Sequence, residues 1–374
     1  VWAVDVAQID SGTPIMEVDG IDHEWLRHNL GWPLDGREEI VVRSISHSAG
    51  SMGTVHRVCC AGRSIIFKGP PEKLDAWGTL VTDTGLMARE VHSYRFLQAS
   101  GSSAPRVSPT CHWSALSSGG RAALALEDIG SPQALNVTMA SGLSRAQTLS
   151  AVQSLAVLHA LSANVGADPL SAPHPWLYTA VSAGLNAWVQ MGLDELPRVM
   201  AARWPGEVTR AALQRVQALD MQRVFARSHL EATCIALCHG DVWAGNVLFV
   251  ASGQSADGLS AFLVDWQFAM WGNPMSDVAL LLLSSVNPSS RQAWEDEVIA
   301  HYHAVLISHC ALEYTLDACR EDFHRATPFA AAVALATLED YTVGMDSEEL
   351  SQFQERVLAA LWHVAQAADG DATT

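Results

Sequence analysis

The sequence predicts an α+β protein of two bodies, a small antiparallel sheet with one helix and then a larger, mainly helical part. Three observations carry this. β-Branched runs separated by small-residue turns crowd roughly the first 125 residues, Glu127-Asp128-Ile129-Gly130 interrupts the pattern, and beyond it the apolar spacing turns helical. The boundary is expected between 126 and 127, giving bodies of 1–126 and 127–374.

Each element has its own warrant. Glu39–Ser46 and Gly53–Cys60 are β-branched runs joined through His47–Met52, and Ser64–Lys68 is a third run closed by Gly69-Pro70-Pro71. Three short strands with tight turns make an antiparallel meander. Thr84–Ser100 sets Glu90, Tyr94 and Leu97 at helical spacing, and Ala122–Leu126 reads as a fourth strand. Past the break, Ser144 and Gln147 form a capping box for a helix reaching Leu161. Further helical patterns cover 177–191, 207–229, 291–309, 328–342 and 347–368. One β island interrupts them: Asn246–Val250 and Ala261–Trp266, joined by a polar loop, predict a hairpin.

Composition narrows the function classes. Lys and Arg total 22 against 40 Asp and Glu, a formal charge of −18, which disfavours nucleic acid or an anionic membrane surface and suits a cationic small molecule. With 49% apolar and 17% charged residues the chain is not disordered. No run approaches the ~18 to 20 apolar residues of a membrane span, and no basic region followed by an apolar stretch marks a signal peptide. Seven cysteines with no CxxC pair predict reduced thiols and a cytoplasmic setting. Cys234, Cys238 and His239 lack a fourth ligand at finger-like spacing, so a zinc site is disfavoured.

Leu237–Phe249, reading LCHGDVWAGNVLF, carries the chemistry: His239, Asp241 and Asn246 share one loop that feeds a strand. Val264-Asp265-Trp266-Gln267 then ends the second strand of the hairpin. In an antiparallel hairpin the start of one strand lies beside the end of the other, so Asn246 and Asp265 are expected as neighbours, with Asp241 one loop away. Two carboxylates and an amide oxygen suit a hard cation such as Mg²⁺, which shares phosphate oxygens.

HGD with Asn five residues on, an apolar strand and then DWQ resembles the catalytic and metal motifs of the aminoglycoside phosphotransferase–choline kinase superfamily. Val264–Leu283, VDWQFAMWGNPMSDVALLLL, most resembles its ecdysteroid-kinase-like, or CHK-kinase-like, branch. The resemblance implies a bilobal protein-kinase-like fold and an ATP- and Mg²⁺-dependent phosphotransferase acting on an alcohol group of a small molecule. It implies Asp241 as the catalytic aspartate, Asn246 and Asp265 as Mg²⁺ ligands, and Lys68 on the α/β-phosphates, paired with Glu90. Glu127 falls at the hinge bordering the nucleotide, Asp277 where an acidic residue braces the catalytic loop, and His159 and His239 read as structural.

The glycine turn departs from the pattern: His47–Gly53 keeps Gly50 and Gly53 but not G-x-G-x-x-G. Backbone amides of Ser51–Thr54, Ser51 and Gly53 among them, are the expected phosphate cover. Trp243, Trp266 and Trp271 lie in or near the active-site strings, where aromatics beside acidic groups can bind a cationic amine or an apolar ring, while core packing is the expected role of most of the 13 tryptophans. The competing class is a catalytically silent kinase-fold binding protein. HGD for HRD, DWQ for DFG and the lack of an APE-like string disfavour a protein kinase.

Overall fold

A computed structural model of the 374-residue chain describes residues 15–45, 53–71, 83–100, 106–117, 119–130, 134–135, 139–179, 182–204, 213–214, 216, 221–252 and 258–371. Backbone contacts divide the chain into two units: Val1–Gln133 with Asp265–Gln267, and Ala134–Val264 with Phe268–Thr374.

In the first unit α1 (His23–Leu30) starts on Asp22, whose Oδ1 accepts from Trp25 N at 2.8 Å, and stops at Gly31 in the left-handed region. The sheet holds β1 (Ile40–Ser44), β2 (Thr54–Cys60) and β3 (Arg63–Gly69), then β4 (Cys111–Leu116) and β5 (Ala122–Glu127), with α2 (Leu86–Ala99) between β3 and β4. Its order is β1-β2-β3-β5-β4, antiparallel throughout. Ala61 and Gly62, both at positive φ, make the two-residue turn between β2 and β3.

The period of two in β3 decides what each side chain meets. Ile65 and Phe67 are buried in a core with Val58, Cys60, Ala123, Ala125 and the Trp25 and Leu26 of α1. Lys68, one residue after Phe67, turns to the opposite face, where α2 lies. The expected fourth strand is the fifth, because β4 was not foreseen. Its Cys-His-Trp-Ser-Ala-Leu string has no β-branched residue, and a bulge between Cys111 and Trp113 breaks its alternation. Trp113 is held there by rings, stacked on Phe67 at 6.4 Å and edge-on to Trp25 at 5.3 Å.

The second unit runs β6 (Ala134–Leu135), α3 (Arg145–Ala160), β7 (Asn164–Val165), α4 (Ala183–Arg203), α5 (Met221–Leu230), β8 (Cys234–Cys238), β9 (Val247–Ala251), β10 (Leu259–Leu263), β11 (Met270–Gly272), α6 (Met275–Ser285), α7 (Pro288–His309), α8 (Leu316–Ala336), α9 (Leu338–Tyr341) and α10 (Ser347–Asp371). Two three-stranded sheets, β10-β9-β6 and β11-β8-β7, accompany the helices. The capping box forms as the sequence predicts: Ser144 Oγ accepts from Gln147 N, and Gln147 Oε1 from Ser144 N. The hairpin forms too, with Val247 opposite Leu263 in register, but its second strand runs Leu259–Leu263 instead of Ala261–Trp266, so Asp265 and Trp266 lie just past its end. α6 is buried at every residue, its apolar centre flanked by Ser276 and Asp277 at one end and Ser284 and Ser285 at the other. Its Leu280–Leu283 run contributes roughly 1.5–3 kcal/mol per side chain buried.

Two helices depart from expectation at prolines. The helix expected over 328–342 begins at Leu316 and runs through Pro328, and that expected over 177–191 is α4, which contains Pro197. Proline removes one helix hydrogen bond but does not stop a helix whose other face is buried, and Phe323, Ala326, Phe329 and Ala330 of α8 are buried around Pro328. Among the described residues no helix is long and apolar enough to cross a membrane. All seven cysteines are free.

Candidate active site

The first unit assembles a charged triad. Lys68 Nζ lies 2.8 Å from Glu90 Oε2 and 2.9 Å from Asp265 Oδ1. Burial works against the ammonium, yet Asp265 and Glu90 outweigh it and hold Lys68 above its ordinary range. Glu90 is fully buried, and burial raises its carboxyl against the pull of Lys68. Gln267 supplies a second donor, Nε2 to Glu90 Oε2 at 3.3 Å, while Arg89 Nη1 donates to Gln267 O at 2.9 Å. Trp266 between them is fully buried, edge-on to Tyr94. Adjacent residues of α2 thus bind both the backbone and the side chain of the Asp265–Gln267 segment. Asp265 itself has φ 66, a left-handed conformation that a non-glycine residue adopts only under surrounding constraint.

In the second unit the loop between β8 and β9 carries Asp241 and Asn246. Asp277, in the first turn of α6, accepts from His239 N at 2.6 Å and Gly240 N at 2.9 Å. Its carboxylate also takes His159 Nε2 at 3.1 Å, and His159 Nδ1 meets the Tyr302 hydroxyl at 2.8 Å. A carboxylate only accepts, so His159 carries a proton on Nε2. Burial alone would raise the Asp277 carboxyl; His159 and the loop N–H groups outweigh it and hold it below the ordinary value. Gly240 is obligatory: at φ 83, a Cβ there would stand 2.1 Å from Phe268 O. His239 Nε2 donates to Val264 O at 2.9 Å, and its Nδ1 accepts from Asp241 N, which makes it a neutral structural residue. Asn246 Nδ2 donates to Asp241 O and Oδ2, both at 2.9 Å. That commits the amide nitrogen and leaves the amide oxygen for coordination. Val264 N donates to Asn246 O at 3.0 Å, the meeting of strand start and strand end that the hairpin demands.

Other sequence candidates fall as follows. Ser51 lies outside the described residues. Gly53 packs against β3, where a Cβ would stand 2.5 Å from Gly69 O. The Glu127 carboxylate is held by Arg106 Nη1 at 2.6 Å and Thr110 N at 3.0 Å, so its side chain is committed within its own unit. Trp243 stacks at a tilt on Tyr341, 4.7 Å between centroids. Of the disfavoured zinc set only Cys238 joins a close group, with His159 and Asp277. There the imidazole nitrogens and carboxylate oxygens are already paired, and burial pushes the Cys238 thiol up, away from the thiolate a metal needs. Sequence reasoning missed Gln267, Arg89 and Tyr302. Gln267 stood inside the quoted DWQ string, but its partner is 177 positions away in sequence.

Residues 60–313 match the ecdysteroid kinase-like family, more than half of the chain. The chain belongs to that family. The matched span takes in Lys68, Glu90, the Asp241 loop and Asp265, and stops before α8. No curated protein matches the sequence of this ecdysteroid kinase-like chain. Among solved structures it is similar to an ethanolamine kinase of Plasmodium vivax at 11% identity, covering 87% of this chain and 83% of that one with a TM-score of 0.48. It is similar to a microcompartment-associated aminopropanol kinase at 12% identity, over 94% and 96% of the two chains with a TM-score of 0.49. A choline kinase of Streptococcus pneumoniae is 14% identical over 87% and 94%, with a TM-score of 0.43.

Proposed function

We propose that this ecdysteroid kinase-like chain transfers the γ-phosphate of ATP to an alcohol group of a small molecule in a Mg²⁺-dependent reaction. The observation that carries the reading is the Lys68–Glu90–Asp265 triad, in which one buried ammonium touches both carboxylates. Phosphoryl transfer asks for positioned charge more than for covalent chemistry. Lys68 would meet the α/β-phosphates, oriented by Glu90, with Gln267 keeping Glu90 in place. The oxygens of Asp265 and Asn246 fit a hard cation and would hold Mg²⁺, which when bound neutralises phosphate charge. Asp241 would orient the acceptor hydroxyl and take its proton. Gly53 and Ser51 would offer backbone N–H groups to the phosphates, and Glu127 would border the nucleotide through its backbone carbonyl. The acceptor is a small alcohol, cationic or apolar, and seven free cysteines fit the reducing cytoplasm we propose as the setting.

The test is thermal stability with ATP plus Mg²⁺, with each alone and with GTP plus Mg²⁺, followed by phosphate transfer to a panel of hydroxylated small molecules. Native-state binding raises stability with ligand concentration. A Mg²⁺-dependent shift that vanishes in Asp265→Asn, with turnover lost in Asp241→Asn while binding persists, is the expected result. No shift with any nucleotide would sink the reading and leave the silent binding protein.

A further inference from the structure

The Asp241–Asn246 loop is fastened to α6 twice. Asp277, in the first turn, holds its front end through His239 N and Gly240 N. Ser285, the last residue of the same helix, holds its far end: Ser285 Oγ accepts from Ala244 N at 2.8 Å, with both groups buried. Eight residues separate the two fastenings, ~12 Å along a helix axis. The loop is therefore strung along α6, Asp241 nearer one fastening and Asn246 two residues past the other.

The hydroxyl protons at the far end have one consistent arrangement. Ser284 Oγ donates to Leu280 O at 2.7 Å, so in its 3.0 Å contact with Ser285 it must accept. Ser285 thus gives its proton to Ser284 and turns a lone pair to Ala244 N. The carbonyls of this pair are pinned in turn. Leu143 N donates to Ser285 O at 2.7 Å, at a place where Gly142, φ 70, has its Cβ position only 3.0 Å from that oxygen. Arg356, 1% exposed, donates to Ser284 O at 3.1 Å, to Ala140 O at 2.6 Å and to Met139 O. A buried guanidinium spent on carbonyls, with no carboxylate partner among the described residues, is a costly group, and burial lowers its pKa to about 10. It sits where the negative end of the α6 dipole gathers.

We infer that Ser285 is a positioning residue for Asn246, as Asp277 is for Asp241. This rests on the phosphotransferase reading only where it invokes Mg²⁺. Losing the Ser285 hydroxyl leaves Ala244 N–H buried without an acceptor, two residues from the amide oxygen assigned to the metal.

The experiment has two arms. Hydrogen exchange of the nucleotide-free protein reads the fastening alone: amides of residues 241–246 should exchange about tenfold faster in Ser285→Ala, as a lost buried bond implies, and return to wild-type rates in Ser285→Thr. The Mg²⁺ concentration for half-maximal ATP binding should rise about tenfold in Ser285→Ala and recover in Ser285→Thr. Ser228→Ala, which removes a part-buried bond from Ser228 Oγ to Arg325 O, should lower the melting temperature without moving either readout. Unchanged loop exchange in Ser285→Ala would overturn the fastening. Faster exchange with an unaltered Mg²⁺ requirement would overturn the link to Asn246. Wild-type protein that binds no nucleotide would defeat the phosphotransferase reading and the Mg²⁺ half of this inference, and the exchange arm would still decide the fastening.

Discussion

Acidification from pH 7 to pH 5 should cost about 2 kcal/mol of folding stability through His229 alone. This residue of α5 is fully buried, accepts from Asn273 N on Nδ1 at 3.0 Å and packs edge-on against Phe329. Burial lowers its pKa from 6.5 to about 4, with the Asp277 charge acting the other way. Between those values the unfolded chain binds a proton that the native chain refuses, so stability rises with pH. It is full at neutrality, falls as pH drops through 6.5, and the loss is complete below about 4. The whole gap is worth ~3.4 kcal/mol, of which about 2 kcal/mol has gone at pH 5. The assay is urea denaturation at pH 7, 6 and 5 for wild type and His229→Leu. Leucine leaves Asn273 N without its acceptor, so the variant starts ~1–3 kcal/mol less stable, but its stability should fall by about 2 kcal/mol less over the range. His363, also lowered to about 4, acts in the same direction in both proteins and cancels in the comparison. Parallel pH profiles for the two proteins would refute the reasoning.

Lys68→Met should destabilise the fold by about 3–5 kcal/mol, because it strands the buried Glu90 carboxylate. Lys68→Met with Glu90→Leu should regain much of that loss without regaining nucleotide binding, and a denaturation cycle over the four proteins reads the coupling. Gly240→Ala should fold poorly or lose turnover outright, since its Cβ meets the Phe268 carbonyl; a near-native melting temperature with normal activity would contradict the geometry. Gln267→Leu keeps the bulk but removes a donor to Glu90, so calorimetry should find ATP binding weakened severalfold with the fold intact.

Local chemistry was legible in the sequence wherever a feature spans few residues. The Ser144–Gln147 box, the hairpin (found as Val247–Ala251 against Leu259–Leu263) and the Lys68 strand all follow from short-range pattern and reappear in the structure. Glu90 could be nominated because α2 is the first described helix after that strand. What escaped is long-range or disguised. β4 is fixed by ring packing where β propensity is weak, and α8 passes through a proline that reads as a helix start. Gln267 and Arg89 draw their roles from partners 177 and 178 positions away, which no periodicity can announce. Ser285 looked like one more small residue in an apolar run until its hydroxyl was seen under Ala244.

The first unit is not completed by the first 133 residues: Asp265, Trp266 and Gln267 belong to it too. On the ribosome, roughly 130 further residues must emerge before that segment arrives, about 7 to 27 s at ordinary elongation rates. Throughout that interval Glu90 lacks Gln267, Lys68 lacks Asp265, and Tyr94 lacks the Trp266 ring beside it. The nascent sheet therefore waits with its polar face unfinished. It becomes a complete folding unit only when the Asp265–Gln267 segment, just past the end of β10, has emerged.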